Sequence, residues 1–172
     1  MSQDYKNTLN LPQTDFSMQA GLPKKEPVML EKWEQDGIYD KLMKKNEGKP
    51  RFVLHDGPPY ANGKLHIGHA LNKTLKDIIM KYKTMTGHYT RYIPGWDTHG
   101  LPIEHAVIKN TGLNRHEMAP LDLRNKCKEY ALECVETQKQ DFIRFGVLGE
   151  WDRPYLTLRP EFEVKQLGIF GE

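Results

Sequence analysis

A short apolar run, a loop dense in glycine and proline, and a helical apolar stripe follow one another between Arg51 and Gly87. No other stretch restricts the fold so strongly. "RFVLH" (Arg51 to His55) reads as a strand. "DGPPYANGK" is a turn-rich loop, and a helix is expected to begin near Gly68. On that helix Leu71, Leu75, Ile78, Ile79, Tyr82 and Met85 recur at helical spacing, the pattern of a helix packed on a sheet, and Gly87 is placed to stop it. A second extended stretch, "HYTRYIPGW", then leads into "GWDTHGLPIE" (Gly95 to Glu104). Strand, loop, helix, strand is a βαβ crossover, so the fold class is α/β with parallel strands.

The flanks are simpler. Residues 1–25 are polar and punctuated by Pro12, Gly21 and Pro23, which suggests an irregular arm. A helix is expected from about Glu26 to Lys45 on Leu30, Trp33, Ile38 and Leu42, broken or kinked at Gly37. A long helix follows from about Asp122, a plausible N-cap, to Phe145, closed by Gly146. Its buried face would be Leu123, Cys127, Tyr130, Cys134, Phe142 and Phe145. A last helix starts near Pro160 and stops at Glu172 with no clear terminator. That ending, with a single crossover unit too small for a complete parallel sheet, predicts the amino-terminal piece of something larger.

Composition excludes several classes. At 172 residues, 38% hydrophobic and 28% charged, the chain suits one soluble core. No apolar run approaches the roughly 20 residues of a membrane span, and the start lacks a signal-peptide pattern. A net charge of +2 announces no nucleic acid, although Lys73, Lys76, Lys81 and Lys83 form a local basic set. Two cysteines in a helical pattern make no secreted disulfide framework, so the cytoplasm is the expected compartment.

Chemistry concentrates in "HDGPPYANGKLHIGHALN" (His55 to Asn72). His66 and His69 stand three apart where the loop becomes a helix. Zinc would want three or four ligands. His55, Asp56, Asp97 and His99 are candidates, while Cys127 and Cys134 lie about 10 Å apart along one helix. No metal site is expected. Phosphate fits more of the neighbours. A helix start offers free N–H groups and the positive dipole end. Gly68 would let a ligand approach the backbone, and imidazole N–H groups can donate to phosphate oxygens. Pro58 and Pro59 stiffen the loop into a pocket wall. The second constellation, at the end of the next strand, puts Asp97 beside Trp96 at the same sheet edge, where α/β folds bind ligands. Asp97 suits a ligand's ammonium group, and it suits equally well a turn-forming Asp that accepts from its own backbone.

"GPPYANGKL" followed by "HIGH", together with "PGWDTHGLPIE", resembles class I aminoacyl-tRNA synthetases, and among them the bacterial isoleucyl type. The resemblance extends to "GLPKKEP" and "GEWDRPYLTL". It implies that residues 1–50 are an arm and helix packing on a catalytic domain. Residues 51–172 would be the first half of a Rossmann-like nucleotide-binding fold, truncated before an editing insertion. It further implies ATP at Tyr60, Asn62, Gly63, His66, Gly68 and His69, with His66 and His69 catalytic through the phosphates. L-isoleucine would lie at Gly57, Pro58, Trp96 and Asp97, with Asp97 on its amino group. Mg2+ would ride on the ATP phosphates, zinc would be absent from this stretch, and tRNA(Ile) would receive the acyl group. A monomer is expected. The family's Lys-Met-Ser-Lys-Ser loop is absent, so only one half of the ATP site would be present and activity alone would be weak. Two other functions share these residues: another His-x-Gly-His nucleotidyl transferase, or a non-catalytic nucleotide- or tRNA-binding module with the lysines as a phosphate track.

Overall fold

Helix α1 (Leu22–Gln35) starts four residues before the position expected from the sequence. Pro23 lies in its first turn, where a missing N–H costs nothing. At Gly37 the backbone turns left-handed (φ 59°), a conformation open to glycine, and α2 (Ile38–Lys45) leaves at a new angle. The structure, a computed structural model, describes residues 8–10, 19–112, 114 and 118–172. Most of the expected arm, including Pro12, lies outside the described residues.

The remaining elements are α3 (Ile67–Met85), β1 (Gly95–Trp96), α4 (Leu101–Thr111), α5 (Pro120–Arg144), β2 (Tyr155–Leu156) and α6 (Pro160–Gly171). β1 and β2 pair in parallel, Gly95 opposite Tyr155 and Trp96 opposite Leu156. On the other side of β1 the 51–60 segment joins by two parallel bridges, Arg51 with Tyr89 and Tyr60 with Asp97. Three parallel segments linked by helical crossovers give the α/β class expected. The strand expected at Arg51 to His55 is reduced to one bridge, because Pro50 and Tyr89 close the ladder and the next contact comes from a side chain. The Gly95 N–H donates to the Asp56 carboxylate (3.0 Å) rather than to a backbone carbonyl. Helix α4 falls where the sequence reading assigns no element: Pro102 lies in its first turn and Gly112 caps its end.

α3 reverses the expected packing. Leu71, Leu75, Ile78, Ile79, Tyr82 and Met85 are all exposed, whereas Lys73, Asp77, Met80 and Thr84 are buried. The helix lays its mixed face on the sheet, and each polar group there is satisfied. Asp77 accepts from Lys81 (2.5 Å) and from the Leu148 N–H (3.0 Å). The Thr84 hydroxyl bonds the Met80 carbonyl and Thr90. α5 keeps part of its expected face. Cys134 and Phe142 are buried, Leu123, Cys127 and Tyr130 are half-buried, and Phe145 is exposed. Ala131, Val135 and Gln138 complete the buried stripe. The helix begins at Pro120, so Asp122 sits in its first turn instead of at the cap.

Two hydrophobic clusters meet at Trp151. One gathers Ala61, Trp96, Ile103, Ala131, Val135, Phe142 and Leu156. The other holds Met80, Tyr92 and Val147 over Phe52 and Leu54. No helix among the described residues is long and apolar enough to cross a membrane.

Candidate active site

His66 is the N-cap of α3, in extended backbone (φ −118°, ψ 171°). Its Nδ1 accepts from the Gly68 N–H at 3.1 Å, and Nδ1 of His69 accepts from the His66 N–H at 3.3 Å. Two imidazoles thus perform the reciprocal capping usually done by a Ser/Thr and Glu pair. The rings stack with centroids 3.8 Å apart. An Nδ1 that accepts carries no proton, so an imidazole capping in this way places its ring hydrogen on Nε2. Burial, then the nearby His66 and Lys73 charges, pull His69 below the ordinary histidine value. Neither Nε2 has a hydrogen-bond partner among the described residues. Two donors stand free at the positive end of a helix dipole, an arrangement suited to an anion.

Gly68 has a reason within the chain beside the one expected. A Cβ there would sit 2.9 Å from Cε1 of His66, so the glycine makes room for the capping ring itself.

The second constellation is fastened directly to the first. The Asp97 N–H donates to the Pro59 carbonyl and the Ala61 N–H to the Asp97 carbonyl, both at 2.9 Å. Asp97 Oδ1 accepts from the His99 N–H (3.3 Å) and the Thr157 hydroxyl (3.4 Å). The turn-forming role is therefore present, and Oδ2 has no hydrogen-bond partner among the described residues. Trp96 is completely enclosed, its Nε1 donating to Gln138 (2.9 Å) and its ring against Phe142 and Trp151. It forms the floor under Asp97. Gly57, Tyr60, Asn62 and Gly68 lie exposed along the loop and helix start, with Pro58 and Gly63 half-buried. Gln138 holds the loop down by donating to the carbonyls of Tyr60 (3.1 Å) and Gly63 (2.7 Å), and Tyr130 donates to that of Asn62.

Beneath these groups lies a residue that sequence reasoning weighed only as a metal ligand. Asp56 is buried and binds Lys73 and Lys76 (2.8 Å). Burial alone would raise its pKa, but the Lys73 charge and the donors from Lys73, Lys76 and Gly95 outweigh it and hold the carboxyl below its ordinary value. Burial in turn draws Lys73 down against the upward pull of Asp56. The signal for this pair was an acidic residue at a strand end with lysines seventeen and twenty residues on, a pairing no local pattern marks. Those partners also bear on the alternative reading of these lysines as a phosphate track. Lys73 and Lys76 are taken by Asp56, Lys81 by Asp77 and the Gly146 carbonyl, and Lys83 lies over Phe52.

Among the described residues no group of three or more His, Cys, Asp or Glu is placed to hold a metal ion. One groove of about 770 Å³ lies between α1–α2 and the end of α5, another of about 620 Å³ between α1, α3 and the end of α5, and neither is lined by His66, His69 or Asp97.

Residues 28–172 match the family described as tRNA synthetases class I (I, L, M and V). The chain is 60% identical over 169 residues to an isoleucine–tRNA ligase of Moorella thermoacetica and 59% identical to one of Caldicellulosiruptor saccharolyticus. Each match covers 98% of this chain and 18% of the relative, so the chain spans about a fifth of their length. In structure it is similar to a leucyl-tRNA synthetase of Agrobacterium radiobacter K84 solved in a ternary complex with tRNA and LeuAMS. The TM-score is 0.69 at 22% identity, over 88% of this chain and 17% of that one.

Proposed function

The chain belongs to the class I tRNA synthetases, and from that membership we propose that it carries the phosphate-binding and amino-group-binding parts of a site that activates L-isoleucine with ATP. The observation that carries this reading is the doubled histidine cap, which leaves both Nε2 atoms without a partner among the described residues, on the loop that Asp97 fastens through Pro59 and Ala61. Identity near 60% to isoleucine–tRNA ligases supports isoleucine as the amino acid.

In this reading the isoleucine carboxylate attacks the α-phosphorus of ATP, the bond to the bridging oxygen breaks, and pyrophosphate leaves. His66 and His69 donate to the phosphate oxygens on which charge accumulates, with no proton to lose or gain at Nδ1. The first N–H groups of α3 add to the same field. Asp97 Oδ2 pairs with the substrate ammonium while Oδ1 stays tied to its turn. Gly57 and Pro58 form the side-chain wall, Trp96 braces it from below, and Tyr60, Asn62 and Gly63 border the nucleotide. Mg2+ would neutralise phosphate charge. The donors around His66 suit the phosphates rather than the cation, so the phosphates themselves would hold it. Transfer to tRNA(Ile) belongs to the whole enzyme in this proposal. Residues 51–172 would be the first half of the catalytic domain, with the segment before residue 51 packing on it, a placement the Asn46 bonds to the Thr84 and His88 carbonyls support.

Calorimetric titration of the chain with Mg·ATP tests the reading. The His66→Ala/His69→Ala variant is expected to bind at least about tenfold more weakly, the loss of two hydrogen bonds to a charged group. Equal affinity in a folded variant would overturn it.

A further inference from the structure

Asp56 is buried and ties together three elements that carry the candidate site, α3, β1 and β2. Its carboxylate takes Lys73 and Lys76 from α3, one and two turns beyond His69, and the Gly95 N–H from β1. Its own carbonyl accepts from the Tyr155 hydroxyl (2.5 Å), which ties in β2. The residues next along the chain are the ones assigned to ligand. Gly57 and Pro58 follow Asp56, and Trp96 and Asp97 follow Gly95. Lys73 is held on its other sides by the Tyr92 hydroxyl (3.1 Å) and the Phe142 ring. Tyr155, which the Asp56 carbonyl anchors, lies so close across Gly95 that a Cβ on Gly95 would fall within its ring.

We propose that Asp56 is a positioning residue, a buried anion that sets the start of α3 and the β1 end at the separation ATP and isoleucine require. The proposal rests on the isoleucine-activating reading above. A carboxylate suits this place because one small group with four lone-pair sites can receive donors from two elements at once, and charged hydrogen bonds are short and directional. Fixing the frame behind a site matters because displacements of about 1 Å at reacting groups carry large losses.

The test compares wild type, Asp56→Asn, His69→Ala and the double variant, all as the full 172-residue chain, by circular dichroism and by Mg·ATP titration. Asp56→Asn keeps the shape and removes the charge. It is expected to retain the helical spectrum and lose about tenfold or more in Mg·ATP affinity. In the His69→Ala background the same change is expected to cost clearly less than in wild type, because one of the two donors whose position it governs is gone. Loss of folding alone would weaken binding equally in both backgrounds, and that additive result overturns the proposal. Affinity within twofold of wild type in folded Asp56→Asn overturns it too. Should Asp56→Asn not fold, Lys76→Met, which removes one donor at the edge of the cluster, is read in the same cycle with a smaller, equally non-additive loss expected. Failure of the wild-type chain to bind Mg·ATP overturns the functional reading and this inference with it, whereas binding that ignores Asp56 overturns this inference alone.

Discussion

His66 and His69 spend Nδ1 on the helix cap, which leaves Nε2 without a partner among the described residues. A protonated ring would point a hydrogen at a backbone N–H, so the imidazolium form breaks the cap. His69 is held below its ordinary value in the folded chain. For a group so depressed, the unfolded state binds more protons. Its contribution to stability is therefore complete above the ordinary histidine value of about 6.5 and is lost as pH falls through the lower folded value. Nitrogen-15 NMR at pH 8 is expected to show protonated Nε2 and bare Nδ1 on both rings. Acidification should fray the first turn of α3 before the rest of the chain unfolds. A protonated Nδ1 at pH 8 on either ring would contradict the capping geometry.

Between elements, polar side chains do the fastening that the short strands cannot. β1 and β2 are two residues each, so few backbone bonds hold them. Gln138 of α5 supplies three connections, to the Trp96 indole and the Tyr60 and Gly63 carbonyls. Gln138→Leu keeps the volume but strands three groups in the interior. At about 1–3 kcal/mol for an unsatisfied buried group, the loss should be on the order of 3 kcal/mol. Urea unfolding should show a lower midpoint at unchanged slope. A change below about 0.5 kcal/mol would show that water replaces the amide without cost.

Across the whole molecule the apolar surface is distributed unevenly. One flank of α3, from Ile67 to Met85, is exposed, and Val164, Leu167, Ile169 and Phe170 of α6 are exposed as well. Contiguous apolar surface of this kind attracts hydrophobic dyes and promotes association. Ile78→Glu is expected to leave stability within about 0.5 kcal/mol, as for exposed positions generally, and to lower dye binding and light scattering. Strong destabilisation by this change would mean that the face is buried in solution.

The residues by themselves determined the crossover order, the break at Gly37, the helix start at His66 and the chemistry grouped there, because caps, turns and periodicities are local. That the two motifs lie together was legible for the same reason: both are contiguous in sequence and fall at strand ends, and Asp97 is bonded to Pro59 and Ala61. What only tertiary structure decided was direction and partnership. Periodicity finds an apolar stripe on α3 but cannot say which neighbour meets it, and the sheet took the opposite face, where Lys73 and Asp77 have partners. Trp96 is enclosed in the core with its indole claimed by Gln138, forty-two positions away. Asp56 has meaning only when α3 and β1 converge on it. Buried charges are stable only through such distant partners, and a linear sequence does not display them.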